Sequence, residues 1–287
     1  MKQVHQFQDV ILLSDKEVES ISSSYVKFKD GSIADLDQMS ILNRGTGYIK
    51  FEYSIEDIEN SSTETYDFNK CDEVIFNGGN LFFEIKSSAS EKALLKLIGT
   101  ANFHSTTKIY ETNTGMRIDT IPSDNVVMGD IYVNGKRIKG DPIEGKLIIE
   151  VPNPVSLHLQ SNGKGKGVIR VPINEMNINI NGSLDIECET ANIADINING
   201  SGKINIKEIN EYVIAKINGS GDINIDSGEI KEFKSTINGS GKINANIKVN
   251  KAELILHGSG NIFVKNVIEE SLEVHGGSGS VDVGFRG

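Results

Sequence analysis

His257 and His275 are the two residues whose types and spacing come closest to a metal site. Each stands before a glycine turn in the last two copies of a sequence repeat, so we expect their rings to lie in one column on adjacent strands. Two imidazoles could begin a zinc or copper site. A tetrahedral site needs further ligands, and no third ligand recurs beside either histidine. We therefore predict that both fill a turn position and that the chain holds no metal ion and no other cofactor.

Paired carboxylates could cleave a glycosidic bond, because one can act as the general acid while the other acts as base or nucleophile. Acidic neighbours are frequent in this chain, and the sequence sets no pair apart from the others. A pair of charges is more often part of a solvated surface. We therefore predict no catalytic residue and no enzyme. The pairs considered are Asp35/Asp37, Glu56/Asp57, Asp72/Glu73, Glu187/Glu189 and Glu269/Glu270.

Cys71 and Cys188 are the only cysteines, 117 positions apart. Two cysteines exclude a disulfide framework and a four-cysteine zinc site. Both have acidic neighbours, and nearby carboxylates raise the pKa of a thiol and make it a poor nucleophile. We predict that neither cysteine is catalytic.

Two glycine patterns come near to ligand-binding loops. Gly45-Thr46-Gly47 lacks the third glycine, the Lys-Ser/Thr pair and the following helix of a phosphate loop, so we interpret it as a hairpin turn. The second pattern is Gly219-Ser220-Gly221 followed by Asp222, which is similar to a calcium-binding repeat. Such a repeat would need an aspartate at every equivalent position to supply the oxygen ligands. A lysine there would repel the ion, so we predict an exposed ladder without calcium. That column reads Lys203, Asp222, Lys242, Asn261 and Ser280.

Composition narrows the classes of partner. The 287 residues include 40 acidic and 29 basic side chains, a net charge of -11, which argues against nucleic acid as a partner. No apolar run approaches the ~18 residues of a membrane span. We recognise no secretory signal in the first twenty residues. The sequence therefore predicts a cytoplasmic protein, with a cell-surface location only if another route exports it.

The elements that would position these residues repeat along the C-terminal half. A Gly-Ser-Gly tripeptide recurs five times at spacings of 19, 20, 19 and 19 residues, and two degenerate copies precede it at Asn162-Gly163 and Asn181-Gly182. Apolar residues alternate with polar ones on both sides of each turn, which indicates strands with one buried face. A constant period with the same columns apolar favours a parallel β-solenoid of about seven rungs. The tripeptides are Gly200-Ser201-Gly202, Gly219-Ser220-Gly221, Gly239-Ser240-Gly241, Gly258-Ser259-Gly260 and Gly277-Ser278-Gly279.

Each rung supplies residues to a buried column and to a turn. After the turn, the first apolar positions form the predicted core column of Ile204, Ile223, Ile243, Ile262 and Val281. Before the last turn, Leu272 and Val274 take the places that Leu254 and Leu256 hold one rung earlier, so we expect them in the core as well. We predict that the turn glycines share a conformation that a β-carbon disfavours, with positive φ at Gly219, Gly239 and Gly258.

The phrases INGSGKINI, INGSGDINI and INGSGKINANI resemble the head GIN domain of putative auto-transporter adhesins, a bacterial β-solenoid family. The resemblance covers roughly residues 145–287. It implies an adhesin-like role and no catalytic motif, because the family has none to carry over.

The first 144 residues show no such repeat and are interpreted as a separate, mostly β module. Strand-like runs cover 25–29, 48–53, 81–86, 108–111 and 126–133. Ser88 to Glu91 resembles a capping box, so the sequence predicts one short helix ending at Ile98. Residues 60–64 are interpreted as a mobile loop. The fold class is therefore mainly β, with domains at 1–144 and 145–287.

Three functions remain open. The leading hypothesis is a non-catalytic structural or interaction protein that presents a rigid β-solenoid surface to a protein or a glycan. One alternative is a self-assembling cytoplasmic scaffold. The other is a carbohydrate-active enzyme that uses carboxylates on a solenoid face. Because the strands of the last rung have no obvious cover, we also expect self-association through that rung.

Overall fold

The alternating apolar residues of the C-terminal half wind into a parallel β-solenoid, as the repeat predicts. The structure, a computed structural model, describes residues 62–99, 101–120, 145–152 and 154–285, together with Lys29 and the backbone of short strands between residues 3 and 53 and between 131 and 138. Residues 63–98, 104–122 and 145–287 form one compact unit, and residues 1–62, 99–103 and 123–144 form another. The predicted turns at 30–31, 45–47 and 134–135 lie outside the described residues.

The elements are as follows. The one described helix is α1 (Ala101–Thr106). The larger unit is built from the strands β7 (Ser62–Phe68), β8 (Glu73–Gly78), β9 (Leu81–Ser87), β10 (Ala93–Gly99), β11 (Thr107–Glu111), β12 (Gly115–Thr120), β15 (Gly145–Val151), β16 (Val155–Ser161), β17 (Lys164–Ile169), β18 (Ile173–Ile180), β19 (Ser183–Ile198), β20 (Lys203–Ile217), β21 (Asp222–Gly239), β22 (Lys242–Gly258), β23 (Asn261–Gly277) and β24 (Ser280–Val283). The remaining strands are β1 (Gln3–Phe7), β2 (Val10–Ser14), β3 (Val18–Ile21), β4 (Tyr25–Phe28), β5 (Ile33–Asp35), β6 (Ile49–Tyr53), β13 (Ile131–Val133) and β14 (Lys136–Ile138).

Each long strand from β19 to β23 serves two sheets. Its first half pairs in parallel with the first halves of its neighbours, and its second half pairs with their second halves. A shift of register between the halves marks the place where the chain bends. We name the two layers the post-turn sheet, which follows each Gly-Ser-Gly, and the pre-turn sheet, which leads into the next one.

Ile204, Ile223, Ile243 and Ile262 lie one above another in the post-turn sheet, and each is almost fully buried. Each stacked rung lengthens this aliphatic column and forms backbone hydrogen bonds with its neighbours. The apolar burial and the hydrogen bonds that a single rung could not make alone therefore come from the rungs stacked on it. Val281 continues the column on β24. It is only half buried, because no described rung covers it.

A rung from the N-terminal half is inserted into the stack. β8 and β9 are joined through Gly79 and Asn80 as a solenoid turn, and they pair in parallel with β16 and β17 on one side. On the other side they pair with β12 and β15. Residues 73–87 therefore lie between two rungs that follow them in sequence, and the solenoid sheet begins well before residue 145.

The helix predicted from Ser88 to Ile98 is wrong. Ser88 and Ser90 hydrogen-bond within a turn that ends at Lys92, and β10 follows it. Every second residue of β10 from Ala93 to Gly99 is buried, which is the period of a strand. The short helix α1 comes afterwards. The mobile loop predicted for 60–64 is also wrong where it is described, because Ser62 to Glu64 belong to β7.

The described strands of the smaller unit form three sheets. β1, β2 and β6 form one, β3, β4 and β5 form another, and β13 pairs with β14. The strand expected at 25–29 corresponds to β4, the one at 48–53 to β6, and part of the one at 126–133 to β13.

The last rung departs from the expected phase. Leu254 lies opposite Glu273 and Leu256 lies opposite His275, so the inward positions of the preceding rung are continued by polar residues. Leu272 and Val274 are instead 54% and 42% exposed. The expectation that they enter the core is wrong, because Leu272 and Val274 lie five and three residues before Gly277, whereas Leu254 and Leu256 lie four and two residues before Gly258, and this one-residue offset places them on the outward positions of the strand.

Candidate interaction surface

The Gly-Ser-Gly corner is a column of closely stacked backbones. A β-carbon on the first glycine of a turn would contact the carbonyl oxygen of the first glycine one rung below, at 2.5 Å for Gly219 over Gly200. The second glycines behave alike, and a β-carbon on Gly221 would lie 2.8 Å from the oxygen of Gly202. Both columns therefore need glycine for space. The first column holds Gly182, Gly200, Gly219, Gly239, Gly258 and Gly277, and the second holds Gly202, Gly221, Gly241, Gly260 and Gly279.

Among the turn glycines, positive φ is confined to part of the first column. Gly258 and Gly277 have φ of 134° and 122°, and Gly239 has 153°. The φ angle of Gly219 lies outside the positive range that L residues rarely adopt. The expectation that Gly219 shares one conformation with Gly239 and Gly258 is therefore wrong. The close approach of adjacent backbones is what these turns have in common.

An asparagine ladder runs beside the glycines. Asn238 donates from Nδ2 to Oδ1 of Asn218 at 2.9 Å, and Asn218 donates to Asn199 at 2.8 Å. The ladder continues through Asn181 to Asn162 at 2.8 and 2.7 Å. Each of these asparagines directly precedes the first glycine of its turn, and this recurrence at one repeat position is the sequence signal that could have predicted the ladder.

The other end of the post-turn sheet carries alternating charges. Arg170, Glu189, Lys207 and Asp226 follow one another on successive rungs where the chain bends, and we name these four residues the charged corner. Glu189 lies 3.4 Å from Lys207 Nζ and 3.8 Å from Arg170 Nη1. Arg170 Nε also donates to Glu84 at 3.3 Å.

A groove of about 220 Å³ opens along the charged corner. All four residues of that corner line it, with Glu187 and Asn205 beside them. Its walls offer carboxylates, an amide and two cations, which are groups that hydrogen-bond to hydroxyls or to peptide backbones. The groove therefore has the chemistry of a polar contact surface.

Two of the three carboxylates in the groove, Glu187 and Glu189, are paired with cations. Lys166 contacts Glu187 at 2.8 Å, and this hydrogen bond holds the pKa of Glu187 below its ordinary value. A general acid of a glycosidase needs a raised pKa. Wherever a carboxyl pKa in the described part of the chain clearly departs from its ordinary value, it is lowered.

Both cysteines are buried and reduced. Burial, opposed by a backbone hydrogen bond and reinforced by neighbouring carboxylates, raises the pKa of Cys71 to about 11. Burial has the same effect on Cys188 and raises its pKa to about 12. The sequence predicted the direction from the acidic neighbours, whereas burial is the larger cause.

The two histidines do not share a column. His257 lies opposite Gly276, and His275 lies opposite Leu256. The expected pairing is wrong because His275 lies two residues before Gly277, whereas His257 lies one residue before Gly258, which is the same one-residue offset that exposes Leu272 and Val274. Within the ranges that the structure describes, no three His, Cys, Asp or Glu side chains are close enough to hold a metal ion.

The exposed column after the turn is arranged as predicted. Lys203, Asp222, Lys242, Asn261 and Ser280 lie opposite one another in successive rungs. Ser280 donates to Asn261 Oδ1 at 3.0 Å. No helix in the described part of the chain is long and apolar enough to cross a membrane.

Solved structures share this fold. An adhesin, described as putative, from Bacteroides fragilis NCTC 9343 is 15% identical with a TM-score of 0.56, over 79% of this chain and 98% of its own. Another from Parabacteroides distasonis ATCC 8503 is 18% identical with a TM-score of 0.54, over 78% and 97%. A putative lipid binding protein from the same strain is 20% identical with a TM-score of 0.52, over 78% and 96%.

No curated protein matches. A family model matches residues 143–285, and its description is "putative auto-transporter adhesin, head GIN domain". With the solenoid in place over the same residues, the chain belongs to the head GIN domain family of putative auto-transporter adhesins.

Proposed function

We propose that the protein is a non-catalytic, adhesin-like module that uses the rigid post-turn sheet to contact a protein or a glycan. The groove along the charged corner carries this proposal, because it presents charged and amide side chains on a sheet whose backbone is paired rung by rung. Membership of an adhesin family supports the same role.

A contact role suits the chemistry of the groove better than catalysis does. Lys207 is exposed and can exchange Glu189 for a ligand at small cost, since exposed ion pairs contribute little to stability. Glu187 has a lowered pKa, and a carboxylate of that kind accepts hydrogen bonds from hydroxyls but is a poor general acid. The second candidate, an enzyme with carboxylates on a solenoid face, is therefore the weaker one.

The proposed place of action is outside the cytoplasm, at the cell surface or in an exported state. The family is named for adhesins, and the cytoplasmic location expected from the sequence receives no support from it. The cytoplasmic scaffold stays a separate hypothesis. Because a scaffold must self-assemble, the oligomeric state of the chain tests it.

The test is an array of glycans and purified surface proteins probed with the full chain. Lys207→Ala removes a cation from the groove, and Lys216→Ala removes an exposed cation from the pre-turn half of the same strand. We expect the first variant to weaken binding to any ligand found by about tenfold, and the second to leave it unchanged. Release of new reducing ends from a bound glycan, or equal binding by both variants, would contradict the proposal.

A further inference from the structure

The last pre-turn strand segment differs from the one beneath it in the residues at its inward positions. In β22 the inward positions of the pre-turn sheet are Ala252, Leu254 and Leu256, all buried. In β23 the same column continues with Ser271, Glu273 and His275. Ser271 donates to Glu273 at 2.6 Å. The end of the core in this sheet is therefore covered by polar side chains.

Apolar side chains are exposed around this polar end. Leu272 and Val274 stand on the outer face of β23, next to the half-exposed Ile255 of the rung below. Phe285, just beyond β24, is 60% exposed. Three of the five large apolar residues that are exposed in the described part of the chain therefore belong to the last rung.

In the part of the chain that the structure describes, the backbone of this rung is hydrogen-bonded to a neighbouring strand on only one side. Residues 270–277 pair with β22, and β24 pairs with β23. Such an edge presents alternating N–H and C=O groups and accepts another strand.

The opposite end of the unit would be a poor acceptor for this edge. The sheet ends there in β7 and β11. Five of the first six side chains of β7 are exposed, and all six are polar, including Glu64 and Asp67. Lys108 and Glu111 of β11 are exposed as well. Charged edge strands oppose the addition of a further strand, so head-to-tail stacking is disfavoured.

We propose that the last rung pairs with the last rung of a second copy of this chain, antiparallel and about a two-fold axis. With the axis through Val274, each Glu273 lies opposite His275 of the second copy, and Val274 lies opposite its own counterpart. Residues directly opposite in an antiparallel pair share a face and interact. Glu273 accepts a hydrogen bond that His275 can donate, so the polar column is complementary to itself.

This arrangement closes on itself and ends at two copies, because the same patch is used on both. One rung per partner buries little area, at the low end of specific interfaces. We expect a concentration-dependent dimer with a dissociation constant of roughly micromolar order. The inference stands apart from the proposed function, since it uses neither the groove nor a foreign ligand.

The experiment is sedimentation equilibrium of the full chain with a charge exchange at the proposed register. Glu273→Lys places a cation opposite His275, and His275→Glu places two acids opposite each other, so each variant alone should weaken the dimer at least tenfold. The double variant should dimerise again, and so should an equimolar mixture of the two single variants. Glu208→Lys, an exposed acid three rungs away, is the matched control and should dimerise like the unaltered chain.

Thermal unfolding of each variant checks that the solenoid is intact, and the terminal position of the rung should keep the melting temperatures alike. A strictly monomeric chain at millimolar concentration, open-ended oligomers, or a dimer that ignores both single substitutions would each overturn the proposal. Hydrogen exchange separates one further outcome: slow exchange at 270–277 in a monomer would mean that another segment of the same chain covers the edge.

Discussion

Gly219 lies directly over Gly200, so closely that a β-carbon on Gly219 would be 2.5 Å from the carbonyl oxygen of Gly200. That oxygen accepts the N–H of Ser220 at 3.0 Å, so it cannot move without loss of a hydrogen bond. The repeat of glycine along this corner is therefore set by the spacing between rungs.

The first prediction concerns this contact. Gly219→Ala should lower the free energy of unfolding by about 2–4 kcal/mol, because a backbone contact must be displaced. Gly276→Ala is the control, since the nearest atom to its β-carbon would be the movable His257 ring at 3.2 Å. Chemical denaturation compares the two, and equal stability of both variants would refute the steric argument.

The second prediction concerns the core column. Ile223 is fully buried between Ile204 and Ile243, so Ile223→Asp should cost at least about 3 kcal/mol for an unpaired buried carboxylate. Lys216→Asp introduces the same residue on an exposed position and should change stability by less than about 1 kcal/mol. A melting temperature unchanged by Ile223→Asp would show that the register is not the one described.

The third prediction concerns pH. A hydrogen bond from Lys146, together with Arg170, lowers the pKa of Glu84 below its ordinary value of 4.5 in the folded state. The stability that Glu84 contributes is therefore present above about pH 4.5 and is lost as the pH falls through the folded-state pKa. The difference in unfolding free energy between the unaltered chain and Glu84→Gln should shrink over that range.

Glu84→Gln in a Lys146→Met background is the control for the pH series, because that background removes the hydrogen bond that is the largest cause of the lowered pKa of Glu84. There, the difference made by Glu84→Gln should shrink less between pH 7 and pH 3. Equal pH dependence in the two backgrounds would contradict the assignment.

The fourth prediction concerns thiol reactivity. Burial raises the pKa of Cys188 to about 12 from an ordinary 9.0, so its thiolate fraction at neutral pH falls by about 1,000-fold. We expect maleimide to leave both cysteines unmodified in the native chain and to modify both in denaturant. Mass spectrometry measures the extent of modification. Rapid modification of the native chain would show that the reagent reaches Cys188 within its rung.

The sequence alone predicted the columns of the solenoid, because period-two alternation and the 19-residue spacing are local signals. It did not predict the phase of the last rung. Leu272 and Val274 match the apolar pattern by residue type, but each lies one residue further from Gly277 than Leu254 and Leu256 lie from Gly258. The pairing of Gly277 with Gly258 shows that this offset, and not the residue type, decides which face they occupy.

Two further features depend on contacts distant in sequence. Ala93 to Gly99 contains good helix formers, and its strand pairing decides against the helix. Residues 73–87 carry Asn77-Gly78-Gly79 in place of Gly-Ser-Gly, and nothing local indicates that they lie between later rungs. The groove likewise combines side chains from four rungs, so its composition follows only from the register.

The measurement that tests the rung register most directly is a series of electron–electron distances between spin labels in one exposed column. Asp185, Lys242, Asn261 and Ser280 share that column, and the native cysteines are buried. With one label at residue 185, the parallel register predicts a distance that grows by about 5 Å per rung, from about 14 Å at residue 242 to about 24 Å at residue 280. Distances that alternate or fail to increase along the series would contradict a parallel solenoid.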